Sequence, residues 1–199
     1  MKRRTFDIIL TWVGALLVVV LLIAGGLLVW GYSFTNTNVH NQLAAQQIYF
    51  PQAGSAQLAN PEIGPYLNQY AGQQLTTGAQ AAAYANHFIA VHIKEMSGGK
   101  TYAQLSAESL ANPSDTQLHT LVETVFRGTT LRGLLLEAYA FSMIGTIALI
   151  AGIVSFATAF LMMILVALGY RHARKTPPDA EVLATSTAPT SEKELVGAH

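Results

Sequence analysis

Residues 8–30 read IILTWVGALLVVVLLIAGGLLVW, an apolar run with no charged side chain. At about 1.5 Å of rise per residue, about 20 such residues cross the roughly 30 Å of hydrocarbon in a bilayer. A second run, residues 138–170, is also uncharged. It is longer than a perpendicular crossing requires, which predicts a tilt or a projection beyond the hydrocarbon at one end. Composition agrees: 11% of residues are charged, 51% are hydrophobic and the mean hydropathy is +0.35. An ordinary soluble domain carries about 25% charge. A chain of 199 residues leaves room for one modest domain besides two spans.

Lys2, Arg3 and Arg4 precede the first run. The run exceeds the roughly 7–15 residues of a signal-peptide core, and no convincing small-x-small cleavage site follows, so it reads as an uncleaved signal anchor. Trp30, Tyr32 and Phe34 at its far end fit an interfacial aromatic belt. Arg171, Arg174 and Lys175 close the second run, while residues 32–136 carry only Lys94, Lys100, Arg127 and Arg132 as cations. The positive-inside rule then places both termini in the cytoplasm, and localises the chain to the plasma (inner) membrane. The organisation predicted is an all-α membrane protein: a cytoplasmic N-terminus (1–7), transmembrane helix 1 (8–31), a mostly helical extracytoplasmic domain (32–136), transmembrane helix 2 (137–170), and a basic flank with a disordered cytoplasmic tail (171–199). Neither span has an ionisable residue in its interior, which argues against a proton relay or a pore within one chain. Small residues at Ala148/Gly152, Ala151/Ser155 and Gly25/Gly26 allow close helix approach, within the chain or between chains.

The stretch SFTNTNVHNQLAAQQIYF is polar but helix-compatible, and extends the first helix outward until Pro51. Pro and Gly then punctuate a loop as far as Gly78, with one short helix starting at Pro65. Three capping boxes follow: Thr77 with Gln80, Thr101 with Gln104, and Ser114 with Gln117. In each, a hydroxyl can accept from a first-turn N–H while the glutamine reaches back to the cap. The first of these helices ends at Ser97-Gly98-Gly99 and carries an apolar face of Ala82, Ala85, Ile89, Ile93 and Met96. The third shows Leu118, Leu121, Val122, Val125 and Phe126 at helical spacing, with Glu123 and Arg127 as a surface pair. It leads into the second span with or without a kink at Gly128. Few large apolar residues are available for an independent core, so the domain is expected to pack on the outward extensions of its own spans or on a partner.

Chemistry is sparse. With no cysteine in the chain there are no disulfides, thiolate metal sites or cysteine nucleophile. Net charge is zero and no basic stripe with interleaved aromatics appears, which excludes a nucleic-acid footprint. No nucleophile elbow, phosphate loop, zincin motif or dinucleotide fingerprint is present. The cluster with metal-ligand character is His87, His92 and Glu95, since two histidines and a carboxylate can form an open facial triad. At about 100° per residue, however, an α-helix points His87 and His92 about 140° apart. A site would need His92 and Glu95 with a third ligand such as His40 or His119. The expectation is that the chain holds no cofactor and no metal. The amide-rich run around Asn41 and Gln47 can offer hydrogen bonds to a sugar or protein, and Leu121 and Val125 mark a stripe that must bury against something.

The strings SFTNTNVHNQLAAQQIYFP, PYLNQYAGQQLTTGAQAAAYANHFIAVHIKEMSGGKTYAQLS and LRGLLLEAYAF resemble an uncharacterised family of actinobacterial two-span membrane proteins. The likeness runs from the first span through the second and leaves out the tail. It implies the two-span architecture and a cell-envelope location. Some members carry an automatic label of aromatic ring-opening dioxygenase, which would imply a preorganised iron site, but no catalytic residues carry over. The reading reached from the sequence is a non-enzymatic accessory, scaffold or partner-binding protein, its partners the lipid bilayer and a membrane or cell-wall protein or a second copy. The alternatives are an extracytoplasmic ligand sensor signalling through a separate partner, and a metal-dependent enzyme.

Overall fold

The computed structural model describes residues 2–177. These are helical apart from turns and one isolated antiparallel bridge between Tyr49 and Gln74. The expected tail lies almost wholly outside the described residues. Two helices dominate: α1, Arg3–Ala45, of 43 residues, and α7, Thr116–Lys175, of 60. They are about 65 and 90 Å long. Both are long and apolar enough to cross a membrane, and of the most apolar eighteen residues in each only 17% are buried. Most of that apolar surface is therefore uncovered by protein.

α1 does not stop where its apolar run stops. Its short polar side chains bond back to the preceding turn, Thr35 Oγ1 donating to the Gly31 carbonyl at 2.7 Å and Asn38 Nδ2 to that of Phe34 at 3.1 Å. Such bonds to the carbonyl four residues back leave the helix in place at a small cost in stability. It ends at Ala45, after which Gln47 takes a left-handed φ of 52°. The Gln74 carboxamide donates to the Ala44 carbonyl at 2.8 Å, satisfying one acceptor that a helix end leaves open. α7 runs through Gly128 without a break, so the third external helix and the second apolar run are one helix.

The chain divides into two compact units, one made from the ends of the long helices (before residue 25 and after residue 153), the other from residues 25–153. In the first, Thr11, Gly14, Val18 and Leu21 of α1 and Ser155, Ala159, Met162, Val166 and Gly169 of α7 are among the buried or half-buried positions. They recur at alternating steps of three and four, the 3.5-residue average of a coiled-coil seam. The Ser155 hydroxyl crosses that seam and donates to the Leu21 carbonyl at 2.8 Å.

In the second unit the same rhythm covers Gly25, Leu28, Tyr32, Thr35 and Val39 on α1 and Ala138, Ser142, Gly145, Leu149 and Gly152 on α7. A Cβ on Gly152 would sit 3.0 Å from Val29 Cγ2 and 3.3 Å from the Gly25 carbonyl oxygen. Here the small residues serve a contact within the chain, whereas Gly26 faces open space.

Between the long helices come α2 (Ala56–Ala59), α3 (Gly64–Leu67, with proline in its first turn and a 3-10 turn at Asn68–Tyr70), α4 (Gly78–Ala83), α5 (Ala90–Met96) and α6 (Tyr102–Ala111). The capping boxes at Thr77 and Thr101 are both formed. The third is not: Ser114 lies outside the helix, and Asp115 Oδ1 accepts from the Leu118 N–H at 2.9 Å in its place. Gly98 and Gly99, at φ 60° and 80°, reverse the chain after α5, and the Gly99 N–H reaches back to the Lys94 carbonyl at 2.8 Å.

A second departure lies between α4 and α5. Residues Tyr84–Ile89 widen into a π turn, in which the Ala90 N–H bonds to the Ala85 carbonyl five residues back. The apolar face shifts accordingly: Ala81, Ala85, Ile89 and Val91 are buried, while Met96 is exposed. These residues join Phe50, Ile63, Leu67 and Leu75 in one core with Val39 and Leu43 of α1 and Leu135 of α7. The small core between the long helices is thus completed by residues of those helices themselves.

Candidate functional site

The π turn sets an aromatic row. Phe50 packs on Tyr70 at 5.1 Å and edge-on to Tyr84 at 5.4 Å, Tyr84 stacks on Phe88 at 4.6 Å, and Phe88 meets His92 at 4.4 Å between centroids. His92 Nδ1–H donates to the Phe88 carbonyl at 2.7 Å. His87 lies flat on Tyr66, with 3.5 Å between centroids and 7° between planes. Burial pushes the Tyr84 hydroxyl above its ordinary pKa.

These contacts engage the candidate ligands separately. The 100° step does not hold across a π turn, so the 140° separation of His87 and His92 is not the reason they stay apart; each ring is held by its own aromatic partner. The Glu95 carboxylate accepts from Asn60 Nδ2 at 3.2 Å. His119 has both nitrogens engaged in closing the turn between α6 and α7. Its Nε2–H donates to the Pro113 carbonyl at 3.2 Å and its Nδ1 accepts from the Ser109 hydroxyl at 2.8 Å. Among the described residues no three His, Asp or Glu side chains gather as a metal site would require.

The partner-facing candidates separate. Asn41 and Gln47 are exposed and Leu121 is half-buried, but Val125 is 1% exposed. Val125 is therefore packed within the protein and has no surface to offer, whereas Phe126 of the same stripe is 52% exposed.

A concave site does form in the second unit, where α1 and α7 leave a groove of about 580 Å³. Small-molecule and peptide-sized sites fall within about 300–1,000 Å³. Its floor is the buried Val39, Leu43 and Leu135. One wall carries Thr35, Asn38 and Gln42 of α1 and Gln46 just past its end; the other, from α7, carries Leu131, Leu134, Glu137 and Phe141. Leu134 and Phe141 are 59% and 51% exposed, and Phe34 at the edge is 58% exposed. Among the described residues Gln42 and Gln46 make no side-chain hydrogen bond and Glu137 makes no ion pair. The groove thus has an amide wall, an apolar wall and one carboxylate on its rim. It can hold something amphipathic, and it contains no nucleophile–base pair.

The amides around Asn41 stand out in the sequence, whereas nothing local marks Leu131, Leu134 and Glu137 as the facing wall. The signal that could have found them is the 3.5-residue seam, which puts α1 and α7 side by side over residues 34–46 and 131–141. Compared with known protein families, characterised proteins and solved structures, the chain matches none.

Proposed function

We propose that this chain is a non-enzymatic membrane protein of the cell envelope that crosses the plasma membrane twice, keeps both termini in the cytoplasm, and binds a partner through the α1–α7 groove on the outer side. The observation that carries this reading is the groove itself, an open amphipathic cleft whose walls continue the two apolar helices. Uncovered apolar residues at its edge, such as Leu134 and Phe141, add to the case, since exposed apolar patches mark interaction surfaces. The non-enzymatic reading is supported by what the titratable side chains do: His87, His92 and His119 are spent on stacking and on closing a turn, and Glu95 accepts a hydrogen bond from Asn60.

Photo-crosslinking in intact cells tests the reading. Photo-reactive residues at Gln42 and Leu134 face into the groove, and one at Glu123, on the exposed distal part of α7, serves as control. The expected result is a reproducible adduct to one foreign envelope protein from the groove positions and none from Glu123. Adducts confined to the chain itself at every position would contradict a partner-binding role.

A further inference from the structure

The groove's two walls carry more information than its size. Asn38 and Gln42 stand four residues apart on α1, which spaces their carboxamides by about 6 Å along the helix, and Gln46 follows in the turn just past its end. A carboxamide offers both a donor and an acceptor, as a peptide group does. In an extended chain, peptide groups facing the same side recur every two residues, about 6.6–6.8 Å apart. The two repeats differ by less than about 1 Å over this step, within the reach of the side chains. Asn38 gives one amide hydrogen to the Phe34 carbonyl and keeps its second hydrogen and its oxygen free for a ligand.

Opposite this ladder, Leu131, Leu134 and Phe141 present apolar side chains, and Glu137 interrupts them with a carboxylate. The groove runs from Phe34 on α1 to Gln46 just past its end, about 18 Å, the length of five or six extended residues. An α-helix would waste the ladder, because its peptide groups are bonded internally. A lipid tail has nothing to donate or accept along its length.

We propose that the groove binds an extended polypeptide segment with apolar residues at alternate positions and a lysine or arginine opposite Glu137. The proposal rests on the reading of the groove as the partner surface, and names the form in which the partner presents itself.

The test uses the full chain in lipid nanodiscs and a dye-labelled library of synthetic heptapeptides, apolar at positions 1, 3, 5 and 7 and lysine at 4. Binding is read by fluorescence anisotropy. The best binder is remade with alternate peptide nitrogens methylated, and again with norleucine for lysine. The expected results are at least a tenfold loss on N-methylation, at least a tenfold loss in the double variant Gln42→Leu, Gln46→Leu, and a severalfold loss with Glu137→Gln for the lysine peptide but not for the norleucine peptide. Each variant is first shown to keep the parent's helical circular dichroism and melting temperature. No binder in the library, or binders indifferent to N-methylation, would overturn the inference. Labelling of Leu134 and Phe141 by a photo-reactive fatty acid, with no peptide bound, would overturn it in favour of a lipid site. Foreign-protein adducts from Gln42 and Leu134 without peptide binding would reject the extended-segment inference alone; absence of both would reject the partner reading with it.

Discussion

Gln47 stands at φ 52°, a conformation that costs a residue with a Cβ about 1–2 kcal/mol. It does so because α1 must reverse direction directly after Ala45, where glycine is the usual occupant. Gln47→Gly is expected to raise stability by about 0.5–1 kcal/mol, the relief of strain exceeding the added freedom of the unfolded chain. Chemical unfolding in detergent checks this, and a loss of stability would mean that the glutamine side chain itself holds the turn. Tyr84 offers a test through pH. Its hydroxyl titrates above 10.0 because burial disfavours the phenolate. The folded state therefore binds the proton more tightly than the unfolded state. Its contribution is fully present below about pH 10 and is lost as pH rises through the elevated value. Tyr84→Phe should lose less stability than the parent on going from neutral pH to about pH 11. Parallel alkaline profiles for the two proteins would show that the hydroxyl is solvated.

At the scale of elements, what was legible in the sequence was what is local. Thr77–Gln80 and Thr101–Gln104 start helices because the cap and its partner lie within one turn, so no distant residue has a vote. Ser114–Gln117 has the same letters, but Asp115 competes one residue later, and its carboxylate makes the stronger acceptor for a first-turn N–H. The π turn at Tyr84–Ile89 was not legible at all: it goes with a ring row involving Phe50 and Tyr70, more than ten positions upstream. The small-residue pairs were visible, but which glycine touches a helix was not. Gly152 does and Gly26 does not, which gives a matched pair of variants. Gly152→Val should cost about 1–3 kcal/mol by forcing its side chain against Val29 and the Gly25 carbonyl. Gly26→Val should change stability by less than about 0.5 kcal/mol. Unfolding titrations of the two variants in mixed micelles measure the difference, and equal effects would deny the close approach.

For the molecule as a whole, length and apolarity revealed the two long helices, because a run of uncharged residues is a property of composition and needs no knowledge of packing. The candidate site was half legible. Its amide wall stands out in the sequence, whereas Leu131, Leu134 and Glu137 gain meaning only when α7 is set beside α1, some ninety residues away in the chain. The proposed function requires residues 34–46 and 131–136 to lie outside the membrane, with the start of the second apolar run projecting beyond the hydrocarbon, while both chain termini lie inside the cell. The chain has no cysteine of its own, so single cysteines report without background. The most direct measurement is labelling of Asn41→Cys and Lys175→Cys by a membrane-impermeant maleimide, in intact and in permeabilised cells. The account predicts that position 41 is labelled in intact cells and that position 175 is labelled only after permeabilisation. Labelling of both or neither in intact cells, or recovery of the protein in the soluble fraction, would contradict it.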